Sequence, residues 1–126
     1  MVIFDTNAIL RYVLRDNLAM LAEVKAKLLS ENCFIPVEVV AEIVYVLSKT
    51  YGVERSIVAK ILIDLTDVRN ITVAQKHVVC QALNIYASTT FDFVDCLLAG
   101  YAKEYKYSVF TFDKKLQAYL NNPKIN

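Results

Sequence analysis

Short apolar runs alternate along this chain with helical periods of about ten to fifteen residues, and that alternation limits the fold more than any other feature. Val2-Ile3-Phe4-Asp5, Cys33-Phe34-Ile35 (stopped by Pro36), Ile71-Thr72-Val73 and Ser108-Val109-Phe110-Thr111-Phe112 read as strands, the last most convincingly. Between them, residues 8–15 place Ile9, Leu10, Val13 and Leu14 at helical spacing, and 18–30 continues in the same period. Residues 37–50 carry Val39, Val40, Ile43, Val44, Val46 and Leu47 on one stripe, and Gly52 ends that helix. Further helices are expected over 54–65, 75–87, 91–105 and 113–120, with a fifth short edge strand in the tail 121–126. Such alternation predicts an α/β fold with a parallel sheet covered on both faces. In such sheets ligands bind outside the carboxyl ends of the strands.

At 126 residues the chain is expected to form one domain over 1–126. Its hydrophobic fraction of 56% exceeds the usual 45–50%, and Gly 2 with Pro 2 is far below the ordinary share. These values exclude a disordered chain, a collagen-like repeat and a disulfide-stapled mini-protein. Fourteen Lys and Arg against thirteen Asp and Glu give a net charge of +1, so there is no bulk field for non-specific nucleic-acid binding, though a local basic rim stays open. The opening Met1-Val2-Ile3-Phe4-Asp5 lacks a signal peptide's basic and long apolar regions, and no apolar run reaches bilayer-spanning length. Cys33, Cys80 and Cys96 read as reduced, mostly buried thiols, without a disulfide framework or zinc site. A cytoplasmic protein with no membrane partner is the expectation.

The carboxylates carry the chemistry. Asp5 ends the first strand and Asp113 the strand at 108–112, each where a helix follows, so capping and a functional role are both open to them. Asp95 falls inside the spacing Phe91, Val94, Leu98, Ala102, Tyr105, which reads as an apolar stripe; a carboxylate facing a core costs several kcal/mol unless paired or metal-bound. A first-turn capping role also suits it, and Asp92 reads as a cap. Glu42 shares a face with Glu38, Tyr45 and Lys49, either solvated or reaching toward the same cleft. If Asp5, Glu42, Asp95 and Asp113 converge within about 5 Å, each pair repels by about 3 kcal/mol at an effective dielectric of 20. Such a cluster stays partly protonated or binds a cation, and all-oxygen ligation without His or Cys selects Mg2+ or Mn2+. A hard ion held this way suits phosphodiester hydrolysis. The sole histidine, His77, lies apart from these acids in sequence and reads as structural or exposed.

At these same residues the chain resembles PIN-domain ribonucleases, and more narrowly VapC-type toxins of toxin–antitoxin pairs. The resemblance runs from Val2 to about Leu120 through Ile3-Phe4-Asp5-Thr6-Asn7, Ala41-Glu42, Asp95-Cys96-Leu97-Leu98-Ala99 and Thr111-Phe112-Asp113. It implies a three-layer α/β/α sandwich with a central parallel sheet and a Mg2+- or Mn2+-dependent endoribonuclease. It assigns Asp5, Glu42, Asp95 and Asp113 to catalysis, with Asp5, Asp95 and Asp113 on the metal, and gives Thr6, Asn7 and Thr111 a supporting polar role. Homodimerisation and a small antitoxin partner are implied as well. Cys96 stands where the family often has Ala, a change of modest size.

RNA needs cations beside an acidic cleft, and Arg11, Arg15, Lys114 and Lys115 are the candidates for flanking phosphates. Tyr101, Tyr105 and Tyr107 are either base-stacking or half-buried packing residues. Ala59 and Ile63 lie off the main stripe of the 54–66 helix, which suggests a subunit or antitoxin interface. A phosphate-handling receiver domain would need an Asp after Ile71-Thr72-Val73, where Ala74-Gln75 stands; a haloacid-dehalogenase-type phosphatase would need Asp-x-Asp, where Asp5-Thr6-Asn7 stands. The alternative from another class is a PIN-like binding or scaffold module without catalysis.

Overall fold

The computed structural model describes residues 1–122. Strands β1 (Val2–Ile3), β2 (Cys33–Ile35) and β3 (Ile71–Val73) run parallel in the order β1-β2-β3, with Val2 opposite Cys33 and Cys33 opposite Ile71. Pairing extends a residue beyond the strands: the Phe4 N–H donates to the Phe34 carbonyl at 3.1 Å and the Ala74 N–H to the Ile35 carbonyl at 2.9 Å. Around the sheet lie α1 (Thr6–Leu14), α2 (Leu18–Ser30), α3 (Val37–Tyr45), α4 (Arg55–Leu65), α5 (Lys76–Ser88), α6 (Phe93–Tyr105) and α7 (Lys114–Leu120). The arrangement is the three-layer α/β/α sandwich expected.

The two faces of the sheet are covered unequally. Cys33 and Ile35 are fully buried and register with buried Ile71 and Val73, so this face joins Ile9, Val40, Ile43, Val44 and Leu47 in the core. The alternate residues face the other way: Ile3 is 68% exposed, Phe34 half-buried and Thr72 exposed. Side-chain caps start several helices. The Asp5 carboxylate accepts from the Ala8 N–H at 2.9 Å, Asn17 from Met20 at 3.0 Å and Asp113 from Leu116 at 2.9 Å, each offsetting an orphan donor.

Four expectations are corrected here. Residues 108–112 form no strand. β-propensity reports fit to a half-buried pleated surface, and no neighbouring strand supplies one. The period of two survives with its sense reversed: Val109 and Thr111 are half-buried, while Phe110 and Phe112 are 88% and 85% exposed, their rings edge to face at 5.4 Å. The helix expected over 37–50 is α3 followed by a π-helical turn, Val46–Thr50, whose wider winding shifts the register; Gly52 then reverses the chain at φ +63. The apolar stripe read on α6 is its outer face: Phe93, Cys96, Leu97, Ala99 and Gly100 are buried, whereas Val94 is 60% exposed and Leu98 and Tyr105 are exposed. Ala59 is buried and Ile63 half-buried against the core, so the reading of them as an interface loses its basis. The tail expectation over 121–126 falls largely outside the described residues.

Gly100 explains how closely α5 and α6 pack. A Cβ there would lie 2.9 Å from the Val78 carbonyl oxygen and 3.4 Å from Val78 Cγ1. The missing side chain lets the backbones meet and sets where the first turn of α6 stands. All three thiols are free, Cys33 and Cys96 buried and Cys80 half-buried; burial pushes the Cys33 and Cys96 thiols up to about 11.

Candidate nuclease site

Asp5 follows β1 and caps α1, with Thr6 buried and Asn7 exposed beside it. Asp113 caps α7, and its own N–H donates to Thr111 Oγ1 at 3.1 Å. Both residues therefore do the capping that was open to them, each through one carboxylate oxygen. Asp92 takes the N-cap position of α6, as read, though without a side-chain cap bond, and Asp95 lies in the first turn, half-buried. Because Asp95 lies beside the core-facing stripe rather than within the one read from periodicity, its burial is partial.

Partial burial still leaves a mark. The Asp95 carboxyl is raised above the ordinary aspartate range, first by desolvation and then by the charges of Asp113 and Asp92. The structure thus brings Asp113 and Asp92 each within electrostatic reach of Asp95. Glu42 is exposed on α3. Among the described residues no three His, Cys, Asp or Glu side chains stand close enough to hold one metal ion, so the four-acid convergence expected does not form. Residues 106–113 have no regular structure, so no strand pairing fixes the position of Asp113. In kind the donors present, carboxylate and hydroxyl oxygens, fit a hard divalent ion; in number they fall short of a complete cluster.

The cations divide. Arg11 is forked onto Asp16, with Nη1 at 2.7 and 2.8 Å from the two carboxylate oxygens, and its Nη2 donates to Tyr51 at 3.4 Å. This internal pair removes the free charge expected of it. Arg15 lies over the Tyr12 ring at 5.6 Å. Lys114 and Lys115 are exposed and make no ion pair among the described residues. Of the tyrosines, Tyr101 stacks on Tyr105 at 6.2 Å, Tyr105 meets Tyr107 at 5.3 Å, and the Tyr105 hydroxyl lies 2.7 Å from Gln75 Oε1.

Sequence reasoning missed Arg55. Its Nε donates to the Tyr86 carbonyl at 2.8 Å, its Nη2 to the Phe91 carbonyl, and the guanidinium sits 3.6 Å from the Tyr86 ring centroid. One side chain from α4 thereby ties the end of α5 to the turn that presents Asp92 and Asp95. An Arg at the first position of a helix has no periodic signature that distinguishes it from a solvated one.

A parallel sheet ringed by helices, with aspartates following β1 and opening α6 and α7, defines an α/β protein that presents carboxylates at strand and helix ends. The family model described as PIN domain matches residues 2–120, and the chain belongs to the PIN-domain family. That membership carries a nuclease-type function and a nucleic-acid substrate; PIN nucleases typically use divalent metals. No curated protein and no solved structure gives a significant match. No helix among the described residues is long and apolar enough to cross a membrane.

Proposed function

We propose that this chain is a Mg2+- or Mn2+-dependent endoribonuclease, the toxin of a toxin–antitoxin pair acting in the cytoplasm. The observation that carries the reading is the PIN-domain match over residues 2–120, with Asp95 half-buried in the first turn of α6 and its carboxyl raised by burial and by Asp113 and Asp92. Carboxylates that repel one another beside an apolar helix face are poised to gain from a cation. Asp5, Asp95 and Asp113 are the ligands in this reading, with Glu42 as the fourth catalytic acid and Thr6, Asn7 and Thr111 in support. When bound, the ion supplies an activated water and stabilises charge on the phosphoryl oxygens. Lys114 and Lys115, next to Asp113, are the cations best placed in sequence to take flanking phosphates, with Arg15 a further candidate and Arg11 the weakest because Asp16 holds it.

A second copy of the chain and a small antitoxin are the partners in this reading. The apolar side chains left outside, Val94 and Leu98 on α6 with Phe110 and Phe112, supply surface for them. The alternative, a PIN-like binding or scaffold module, is favoured by one observation: the described acids form no three-carboxylate group.

The experiment uses end-labelled structured and unstructured RNAs with Mg2+, Mn2+ or EDTA, beside Asp5→Asn and Asp95→Asn variants checked for folding. Metal-dependent cuts lost in both variants support the ribonuclease. Binding without cleavage across varied RNAs favours the module, and cuts that survive both substitutions remove the site. Light scattering at micromolar concentration tests the dimer.

A further inference from the structure

Next to Asp95 lies a cavity of about 380 Å3, walled on one side by α3 and the π-helical turn and on the other by the start of α6. Tyr45, Ser48 and Lys49 stand on the first wall, and Asp92 and Asp95 on the second. None of these five side chains makes a hydrogen bond or ion pair among the described residues. Between the walls the lining is mostly apolar, with Ala41 half-buried and Val44, Tyr86 and Phe93 buried; Arg55 also lines it, its guanidinium already engaged by the Tyr86 and Phe91 carbonyls and the Tyr86 ring. The π turn creates the first wall: its extra residue per winding brings Ser48 and Lys49 onto the cavity side, as π-bulges at functional sites often do.

The chemistry of the two walls is asymmetric. A cation and two hydroxyl donors face one way, and two acceptors face the other, across an apolar gap. An anion at one end, a flat apolar body in the middle and hydrogen-bond donors at the far end are the features of a nucleotide. Free lysine argues against an arginine or lysine side chain as occupant, because Lys49 would repel it. The volume lies at the small end of ligand sites, enough for one base and its sugar and too little for a base pair.

We propose that this cavity holds one unpaired ribonucleotide next to the reacting site, with its phosphate at Lys49 and Ser48 and a base bearing an exocyclic amino group donating to Asp92. It rests on the nuclease reading and deepens it: the substrate is single-stranded at this position, and adenine, cytosine or guanine is selected over uracil, which presents no amino group. A carboxylate accepts from a base amino group as it does from cytosine N4 in other settings.

The test measures fluorescence anisotropy of 5′-fluorescein RNA hexamers, all-C, all-A and all-U, and of a self-complementary duplex, in EDTA so that no cleavage intervenes. All-C and all-A are expected to bind about tenfold more tightly than all-U, one hydrogen bond to a charged acceptor. Asp92→Ala, which breaks no cap bond, should bring the three within about twofold of each other. Ala41→Leu, which fills the cavity, should weaken all three; Lys49→Gln should weaken all three alike and lower the salt dependence by about one phosphate contact. Equal affinity for the three hexamers, duplex binding as tight as single strand, unchanged binding by Ala41→Leu, or absence of hexamer binding together with capture of hexa-arginine each overturns the proposal. The two readings fail separately: selective binding without metal-dependent cleavage removes the nuclease and leaves the subsite, and cleavage without selectivity does the reverse.

Discussion

The charge of Asp113 helps raise the Asp95 carboxyl, yet the two residues stand on opposite kinds of foundation. Asp95 rides on α6, which packs against α5 through Gly100 and is tied at its entrance by the Arg55 guanidinium. Asp113 ends a segment, 106–113, that has no regular structure and is held by the bond from the Asp113 N–H to Thr111 Oγ1 and by one from Gln117 Nε2 on α7 to the Thr111 carbonyl at 2.6 Å. One carboxylate is positioned by the core and the other by a local turn. The lesson is that the support that holds Asp95 in place also raises its proton affinity, because rigidity and desolvation come from the same packing.

The sharpest way to break this contrast is to loosen the firm side. Arg55→Ala removes two charge-assisted bonds to carbonyls and a stacked cation, and is expected to lower stability by about 3 kcal/mol, read as a shift in the urea midpoint. Gly100→Ala should cost about 1–2 kcal/mol: overpacking against the Val78 carbonyl outweighs the helix propensity that alanine gains. A stabilised variant would show that α5 and α6 can separate without loss.

Asp95→Asn probes the charge itself. Because the folded carboxyl is raised above its unfolded value, the wild type's advantage from it is complete below the ordinary aspartate range and is lost as pH rises through the raised value. Near neutral pH the variant should therefore be somewhat more stable than wild type, and the gap should close in acid; urea melts across a pH series read this. The smallest effect belongs to the loose side. Phe110→Ser with Phe112→Ser should change stability by less than about 0.5 kcal/mol, since both rings are exposed. A larger loss by the same melts would mean that the segment is packed after all.

How much of this was legible follows the same division. Strands 33–35 and 71–73 were readable because each is a short apolar run with a stop or turn beside it, and the caps Asp5 and Asp113 because a carboxylate before a helix has a local use. The 108–112 run carries the same local signal, but pairing is a non-local event that propensity does not contain. On α6 the period was right and the face wrong: Phe93, Cys96, Leu97 and Gly100 compete with Val94, Leu98 and Ala102, and apolar residues on both sides leave periodicity without a preferred direction. The π turn, Arg55 and the cavity beside Asp95 depend on register and on partners distant in sequence. Of the candidate site, the identity of the acids was readable and their mutual placement was not.

The unpaired segment has a consequence for how the protein behaves in the tube. Tyr107 to Phe112 is six residues of high β-propensity with neither charge nor proline, lying at the surface of a molecule in which β1 is an edge strand of the described sheet. Lys106 on one side and Asp113-Lys114-Lys115 on the other flank it as charged gatekeepers. Colloidal behaviour is thereby delegated to four side chains, and their repulsion between copies weakens once the Debye length falls below the reach of the segment. A concentrated stock is therefore expected to aggregate faster at high ionic strength than at low.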